Sequence, residues 1–357
     1  MRAIGGLSAG ESCASLPDWN SRKWSVLYLR AQGIGDVILA TGALRAIARS
    51  HPTIALDVLT TRAAAPVLDH NPYVRRVHAT DSGSADAVAL VNELRRSRYD
   101  VIVDGKITRG ASFIRSPVLS MLARAPYRIG VGGGNHHLVF NICVPRYDRT
   151  TTHMVDGSAA LTAPFGVDMV ATDFHPEIFL QPEERARADR LWNSAAATHS
   201  SGGERWLVNL SAGAPIRRWA DEHWISLVDH LRARHPCATV GVMAAGSEQS
   251  SAQRVAQATG ATALNTPRLR DALALVGTSE RVITADTSVT HAATAFRVPT
   301  VLLLQRGLEQ WGSYHTPCEV AYWAGSSIAS LDVETAYDAV DRLLASRPVA
   351  SLLEVVR

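Results

Sequence analysis

Twice along this 357-residue chain, short apolar runs of strand-like composition alternate with amphipathic helical stretches. That rhythm restricts the fold to parallel sheets covered by helices on both faces. The first series opens with the buried strand WSVLYLR at Trp24. It continues through DVILATGALRAIARSHP, a helix stopped by Pro52, and returns to a strand in IALDVLTT, which completes a βαβ unit. YVRRVHAT and YDVIVDG extend the strands, with helical DAVALVNELRRSR between them, and SFIRSPVLSMLARA reads as a helix ahead of the strand YRIGVGG. ICVP and the helical HMVDGSAALTAPFGV follow. A polar passage from Phe174 to Glu184, the amphipathic EERARADRLWNSAA and the Ser/Gly-rich THSSGGE then separate the first series from the second. The second runs RWLVNLS, DEHWISLVDHLRARHP, ATVGVMAAG, SSAQRVAQAT, LRDALALVG, RVITAD, SVTHAATAFR and PTVLLLQ, and a helix near Val333 to Ala345 closes it.

A chain of this length exceeds what one hydrophobic core serves, so the two series are expected to be two Rossmann-like α/β domains, their parallel sheets facing across a cleft. The expected division is a flexible tail at 1–23, a first domain at 24–180, a second at 181–330 and a closing helical segment at 331–357. With 46% hydrophobic and 19% charged residues, the chain is neither disordered nor fibrous. The net charge of +3 suits phosphates or an anionic lipid surface without specifying nucleic acid, and no nucleic-acid partner is expected. Cys13, Cys143, Cys237 and Cys318 stand singly, with no CxxC pair, which points away from disulfides and thiolate metal sites and toward a reducing cytoplasm. No apolar run approaches the ~20 residues of a membrane helix, and residues 1–23 lack the apolar core of a secretory signal.

The first strand ends in LRAQ and passes through Gly33, Ile34, Gly35 and Asp36 into a helix, a turn at the carboxyl edge where such sheets bind ligands. The glycines there allow positive φ and let a substrate approach the backbone. A dinucleotide fingerprint fails at its third glycine, which is Ile38, and the second strand ends in Thr60 and Thr61 without the acid that would hold a ribose. Asp36 has two readings: an acid finishing the first turn of its helix, or a general base that accepts a hydroxyl proton as a new bond forms.

Two stretches of the second half carry phosphate-binding chemistry. In VNLSAGAPIRRWADEHW, a strand runs into Ser211, Ala212 and Gly213, whose backbone N–H groups suit an anion, and Arg217 or Arg218 offers a bidentate partner for phosphate oxygens. The alternative is a solvated arginine pair beside a core tryptophan, Trp219. In RVITADTSVTHAATAFRVPTVLLL, a strand delivers Asp286, Thr287 and Ser288 to a helix start, with His291 one turn in. That terminus suits a pyrophosphate, and Asp286 suits sugar hydroxyls; alternatively Asp286 or Thr287 is a simple N-cap and His291 a half-buried structural residue.

On these residues the sequence resembles glycosyltransferase family 9, the bacterial ADP-heptose:lipopolysaccharide heptosyltransferases. The resemblance runs from about Trp24 to Ala324, through LRAQGIGDVILATGALRAI, HPTIALDVLTTRAAAPVLDHNPYVRRV, YRIGVG, HMVDGSAALTAPFGV, SAGAPIRRW and DTSVTHAA. It implies a GT-B fold, with the acceptor held mainly by the first domain, the nucleotide sugar mainly by the second, and a terminal helix packing back toward the first. It also implies an inverting transfer without metal or other cofactor, in which Asp36 takes the acceptor's proton while amides around Thr287 and Ser288, with Arg217, stabilise the departing diphosphate.

The implied partners are ADP-heptose and a lipopolysaccharide or related glycan acceptor, met in the cytoplasm in peripheral contact with the inner membrane. Alternatives within the same fold are a silent sugar-nucleotide-binding protein and a transferase for another nucleotide sugar. Three positions depart from the family pattern: Arg217 replaces a lysine, Ser288 replaces a glycine, and LQRGLEQWG from Leu304 to Gly312 replaces FGPT. Arg109, Arg115, Arg124 and Arg128 are candidates to face phosphorylated sugars or anionic lipid, against the default of solvated arginines. His153 matches a family position, and a structural role is expected for it.

Overall fold

The computed structural model describes residues 15–80, 84–105, 124–133, 139–148, 150–197 and 203–346. The chain divides into two compact units, Met1–Phe179 and Leu180–Arg357. The expected helix SFIRSPVLSMLARA, with Arg109 and Arg115, lies outside the described residues except at its last positions.

In the first unit, β1 (Trp24–Arg30), β2 (Ile54–Thr61), β3 (Arg76–Thr80), β4 (Val101–Asp104), β5 (Tyr127–Val131) and β6 (Ile142–Val144) form one sheet. Its order is β3-β2-β1-β4-β5-β6, with every pair parallel. The direction of winding reverses between β1 and β4, which opens a crevice at their carboxyl ends. The unit's described helices are α1 (Ile34–Ser50), α2 (Ser84–Ser97) and α3 (Met154–Ala160).

Because α1 follows the central strand, it is enclosed on all sides, and each residue from Val37 to Ile47 is buried. Gly42 lets the backbone of Phe174 come so close that a Cβ there would lie 2.1 Å from the Phe174 carbonyl oxygen. Neighbouring side chains of α1 grip the same passing segment. Thr41 Oγ1 accepts the Glu177 N–H at 2.8 Å, and Arg45 pairs with the Glu177 carboxylate at 2.6 Å while donating to the carbonyls of Asp173 and His175.

The expected tail is shorter than 1–23. Trp19 is buried, donates from Nε1 to the Pro164 carbonyl at 2.8 Å and packs on Trp24 and Phe165, so it anchors the otherwise largely exposed segment 15–23 to this unit, while 1–14 lie outside the described residues. Arg128 is not a solvated arginine either. It donates to the carbonyls of Val139 and Ala125 and braces the turn before β6.

The second unit repeats the plan. Its strands are β7 (Arg205–Asn209), β8 (Thr239–Met243), β9 (Thr262–Ala263), β10 (Arg281–Ala285), β11 (Thr300–Gln305) and β12 (Cys318–Trp323). They lie in the order β12-β11-β10-β7-β8-β9, all parallel. Numbered from the start of this unit, that is the order of the first sheet, with its reversal between β7 and β10.

The helices here are α4 (Pro182–Ala197), α5 (Asp221–Arg234), α6 (Gln249–Thr259), α7 (Leu269–Gly277), α8 (Ser288–Ala295) and α9 (Val333–Ala345). One face of the sheet packs Val208, Val240, Ile283 and Val301 against Trp224, Leu227 and Leu231 of α5 and Val340 and Leu343 of α9. α9 is therefore part of this unit's core, where the resemblance implied a helix packing back toward the first domain; residues 347–357 of that segment lie outside the described residues. Glu184 and Arg270 form a buried two-point ion pair that ties α4 to α7, and Glu184 also accepts the N–H of Gln181 at 2.8 Å. Among the described residues, no helix is long and apolar enough to cross a membrane.

Candidate functional site

In each unit the residues singled out from sequence gather where the sheet reverses. β1 is uncharged and, apart from Ser25, largely apolar up to Arg30, its last residue, and the chain then turns through Gln32 and Gly33 into α1. Gly33 has φ −67° and ψ 166°, an extended conformation open to any residue, so positive φ is not its purpose. Space is: a Cβ on Gly33 would stand 3.3 Å from Asp36 Oδ2. That room lets Asp36, third in the helix, fold back and accept the Gly33 N–H at 3.1 Å. Gly35 lies inside the first turn of α1.

Asp36 does finish its helix, and it also meets a second partner. Arg30 Nη2 donates to Asp36 Oδ1 at 3.0 Å, its Nε donates to the Asp36 carbonyl at 3.0 Å, and its Nη1 donates to the carbonyl of Gly105, just past β4. The guanidinium is 1% exposed and the carboxylate 18% exposed, so the acid retains a face to solvent. Gly105 admits no side chain, since a Cβ would lie 2.4 Å from the Tyr28 ring and 2.7 Å from the Leu29 carbonyl. Burial pushes the Tyr28 hydroxyl up to about 12, against the opposing pull of Arg30. His153 is the N-cap of α3, its Nδ1 accepting the Val155 N–H at 3.1 Å, which is the structural role expected for it.

In the second unit, β7 ends at Asn209, whose buried amide donates to Thr284 Oγ1 at 2.9 Å and Thr287 Oγ1 at 3.3 Å and so joins β7 to the loop after β10. Arg217 makes the same junction further out: Nη1 lies 2.8 Å from the Asp286 carbonyl oxygen and 3.2 Å from its Oδ2. Gly213 is beside it, with an added Cβ 3.9 Å from Arg217 Nη1. Burial raises the Asp286 carboxyl above the usual range, and the Arg217 charge offsets part of that rise.

Thr287 is the N-cap of α8, accepting the Val289 N–H at 3.3 Å; Ser288 opens the helix and His291 is buried one turn in. The His291 ring lies 6.4 Å from that of Trp311, which brings the divergent LQRGLEQWG stretch over α8. Ser211 and Arg218 have partners within the protein. Ser211 Oγ accepts the Ala245 N–H at 2.8 Å, and Arg218 Nε donates to Glu248 Oε1 at 3.0 Å. Trp219 is a core residue packed on Trp224.

Three residues at these junctions were not singled out by the sequence reading: Arg30, Asn209 and Glu248. Each is a polar residue ending or following an apolar strand. Glu248 is buried and its Oε2 accepts the Ala212 N–H at 3.0 Å, which fixes the small-residue turn after β7. The chemistry on hand is a positioned carboxylate at the edge of one sheet and, at the edge of the other, arginines and a helix start suited to an anion. Among the described residues, no group of three or more His, Cys, Asp or Glu stands together as metal ligands.

The family model described as glycosyltransferase family 9 (heptosyltransferase) matches residues 87–306, which include the second-unit junction and begin after α1. Lipopolysaccharide heptosyltransferase 2 of Salmonella typhimurium is 22% identical over 298 residues, covering 78% of this chain and 82% of its own. A family 9 glycosyltransferase from Veillonella parvula superposes with a TM-score of 0.76 at 17% identity, covering 91% of this chain and 98% of its own. The E. coli heptosyltransferase WaaC with ADP-2-deoxy-2-fluoro heptose gives 0.70 at 17% identity, with 89% and 99% covered. The fold is that of the GT-B heptosyltransferases, and with more than half its length matched by the family model, the chain belongs to glycosyltransferase family 9.

Proposed function

We propose that this glycosyltransferase moves heptose from ADP-heptose onto a lipopolysaccharide core or related surface glycan, by an inverting reaction that needs no metal, with Asp36 as general base. The acceptor's O–H bond breaks as its proton passes to the Asp36 carboxylate, and the freed electron pair forms the new bond to the anomeric carbon. The bond from that carbon to the diphosphate breaks on the opposite face, and its electron pair leaves with ADP. Backbone N–H groups at the start of α8, around Thr287 and Ser288, together with Arg217, take up the charge that grows on the diphosphate. A lipid-anchored acceptor and a soluble nucleotide sugar meet at the cytoplasmic face of the inner membrane, so the enzyme works there in peripheral contact with the lipid.

The observation that carries this reading is the Asp36 carboxylate, held by two donors at the carboxyl edge of the first sheet and still open to solvent. Its test is turnover of ADP-heptose with a heptose-deficient lipopolysaccharide acceptor. Asp36→Asn is expected to lower kcat by about 10²- to 10⁴-fold, the usual contribution of a general base, while ADP binding by calorimetry is unchanged. Equal turnover by both proteins removes the base assignment, and product from another nucleotide sugar with none from ADP-heptose reassigns the donor.

A further inference from the structure

Arg30 is an unusual tenant of its position. Val26, Leu27, Tyr28 and Leu29, the four residues before it in β1, are buried and carry no charge, yet the strand ends in a guanidinium that is 1% exposed. Burying such a cation is costly unless it is paired, and an apolar side chain in its place is often as stabilising or more so. Stability is therefore a weak reason for it.

The direction of its donors is more informative. Nε and Nη2 grip Asp36 at its carbonyl and at Oδ1, and Nη1 reaches Gly105 across the sheet reversal. One planar fork thereby fixes both the backbone and the carboxylate of the same acid. With the Gly33 N–H on Oδ2, each carboxylate oxygen accepts one hydrogen bond. Of the roughly four acceptor sites of a carboxylate, the described residues leave the remainder open for an incoming proton.

We propose that Arg30 is a positioning residue for the transfer reaction, holding the Asp36 carboxylate in the one orientation from which it receives the acceptor hydroxyl's proton; this rests on Asp36 being the base. Arg30 touches no substrate in this scheme. Its effect passes through Asp36, so it falls on kcat, and the affinity for substrates is left alone.

The test measures kcat and KM for ADP-heptose with a heptose-deficient lipopolysaccharide acceptor, using Arg30→Gln, Arg30→Lys, Asp36→Asn and the double variant Asp36→Asn with Arg30→Gln. Loss of positioning is expected to lower kcat of Arg30→Gln by about 10²-fold, at the low end of what a general base supplies, with KM and ADP affinity within about twofold. Arg30→Lys keeps the charge without the fork and is expected to recover about tenfold of that loss. In the Asp36→Asn background the Arg30 substitution is expected to change kcat by no more than about threefold, because residues acting as one unit do not lose their effects independently.

A near-normal kcat for Arg30→Gln overturns the inference, as does a double variant in which the two losses multiply. Should Arg30→Gln fail to fold, Arg30→Lys decides: a lowered kcat at unchanged KM supports the inference, and an unchanged kcat overturns it. Retained turnover by Asp36→Asn is a separate result, which removes the base assignment itself.

Discussion

Arg217 Nη1 lies 2.8 Å from the carbonyl oxygen of Asp286 and 3.2 Å from its Oδ2, so one arginine ties the turn after β7 to the turn after β10. In the first unit Arg30 does the same between β1 and the residue after β4. Each sheet is bridged by an arginine at the place where its winding reverses.

Removal of the Arg217 bridge is expected to weaken the hold on a diphosphate. Charge-assisted hydrogen bonds contribute about 1.5–3 kcal/mol, so Arg217→Ala should raise the ADP Kd by roughly 10- to 100-fold in calorimetry. Arg217→Lys keeps the charge and loses the planar fork, and an intermediate Kd is expected.

Asp286 gives the second unit a pH signature. Burial raises its carboxyl in the folded state while Arg217 opposes the rise, so the folded protein holds this proton more tightly than the unfolded chain does. The associated stability is present below the unfolded value of about 3.9 and is lost as pH climbs through the folded value. The melting temperature of Asp286→Asn relative to the wild type should therefore rise as pH increases from about 4. A constant difference across that range would contradict the assignment.

Asp57 gives the first unit the opposite signature. Burial alone would raise its carboxyl, but His78 3.8 Å away, hydrogen bonds from Arg75 and Tyr99, and the Arg75 charge outweigh burial and hold it well below the usual range. Stability from this group is present above about pH 3.9 and lost as pH falls toward the folded value. Tyr99 donates to Asp57 Oδ2 at 2.6 Å and lies 2.7 Å from His78 Nε2. Tyr99→Phe should cost about 1.5–3 kcal/mol in urea unfolding at neutral pH, and the cost should shrink in strong acid.

Gly42→Ala tests the close approach beside α1. Its Cβ would be 2.1 Å from the Phe174 carbonyl oxygen, a backbone atom that cannot rotate away. A loss of about 1–3 kcal/mol is expected, as for other overpacked sites, and a melting curve like the wild type's would contradict the contact.

Alternation of strand and helix is local, so most elements of both sheets are legible in the sequence; their apolar periods are set within a few residues. β12 escaped because only two of its residues are buried, which blurs the period, and β9 because Thr262–Ala263 is too short to have one. The sequence around Trp19 reads as tail because its partner, the Pro164 carbonyl, is 145 residues away. Site residues followed the same division. Asp36 and Thr287 stand out by their place at the start of a helix, whereas Asn209 matters through a partner 75 residues distant and Glu248 through one 36 residues away, and Arg30 joins Asp36, six residues on, to Gly105, 75 residues on. No local pattern encodes such pairings.

The grip of α1 on residues 173–177 also governs how the polypeptide can be cut. Glu177 is held by Arg45 and Thr41, and Gln181 is held by Glu184, which is itself locked to Arg270. Only Ile178, Phe179 and Leu180 run between these anchors, and Ile178 is buried. A digestive enzyme needs a stretch of slack backbone to thread through its own groove, and this joint offers almost none, so nicking the folded protein should leave the two halves joined.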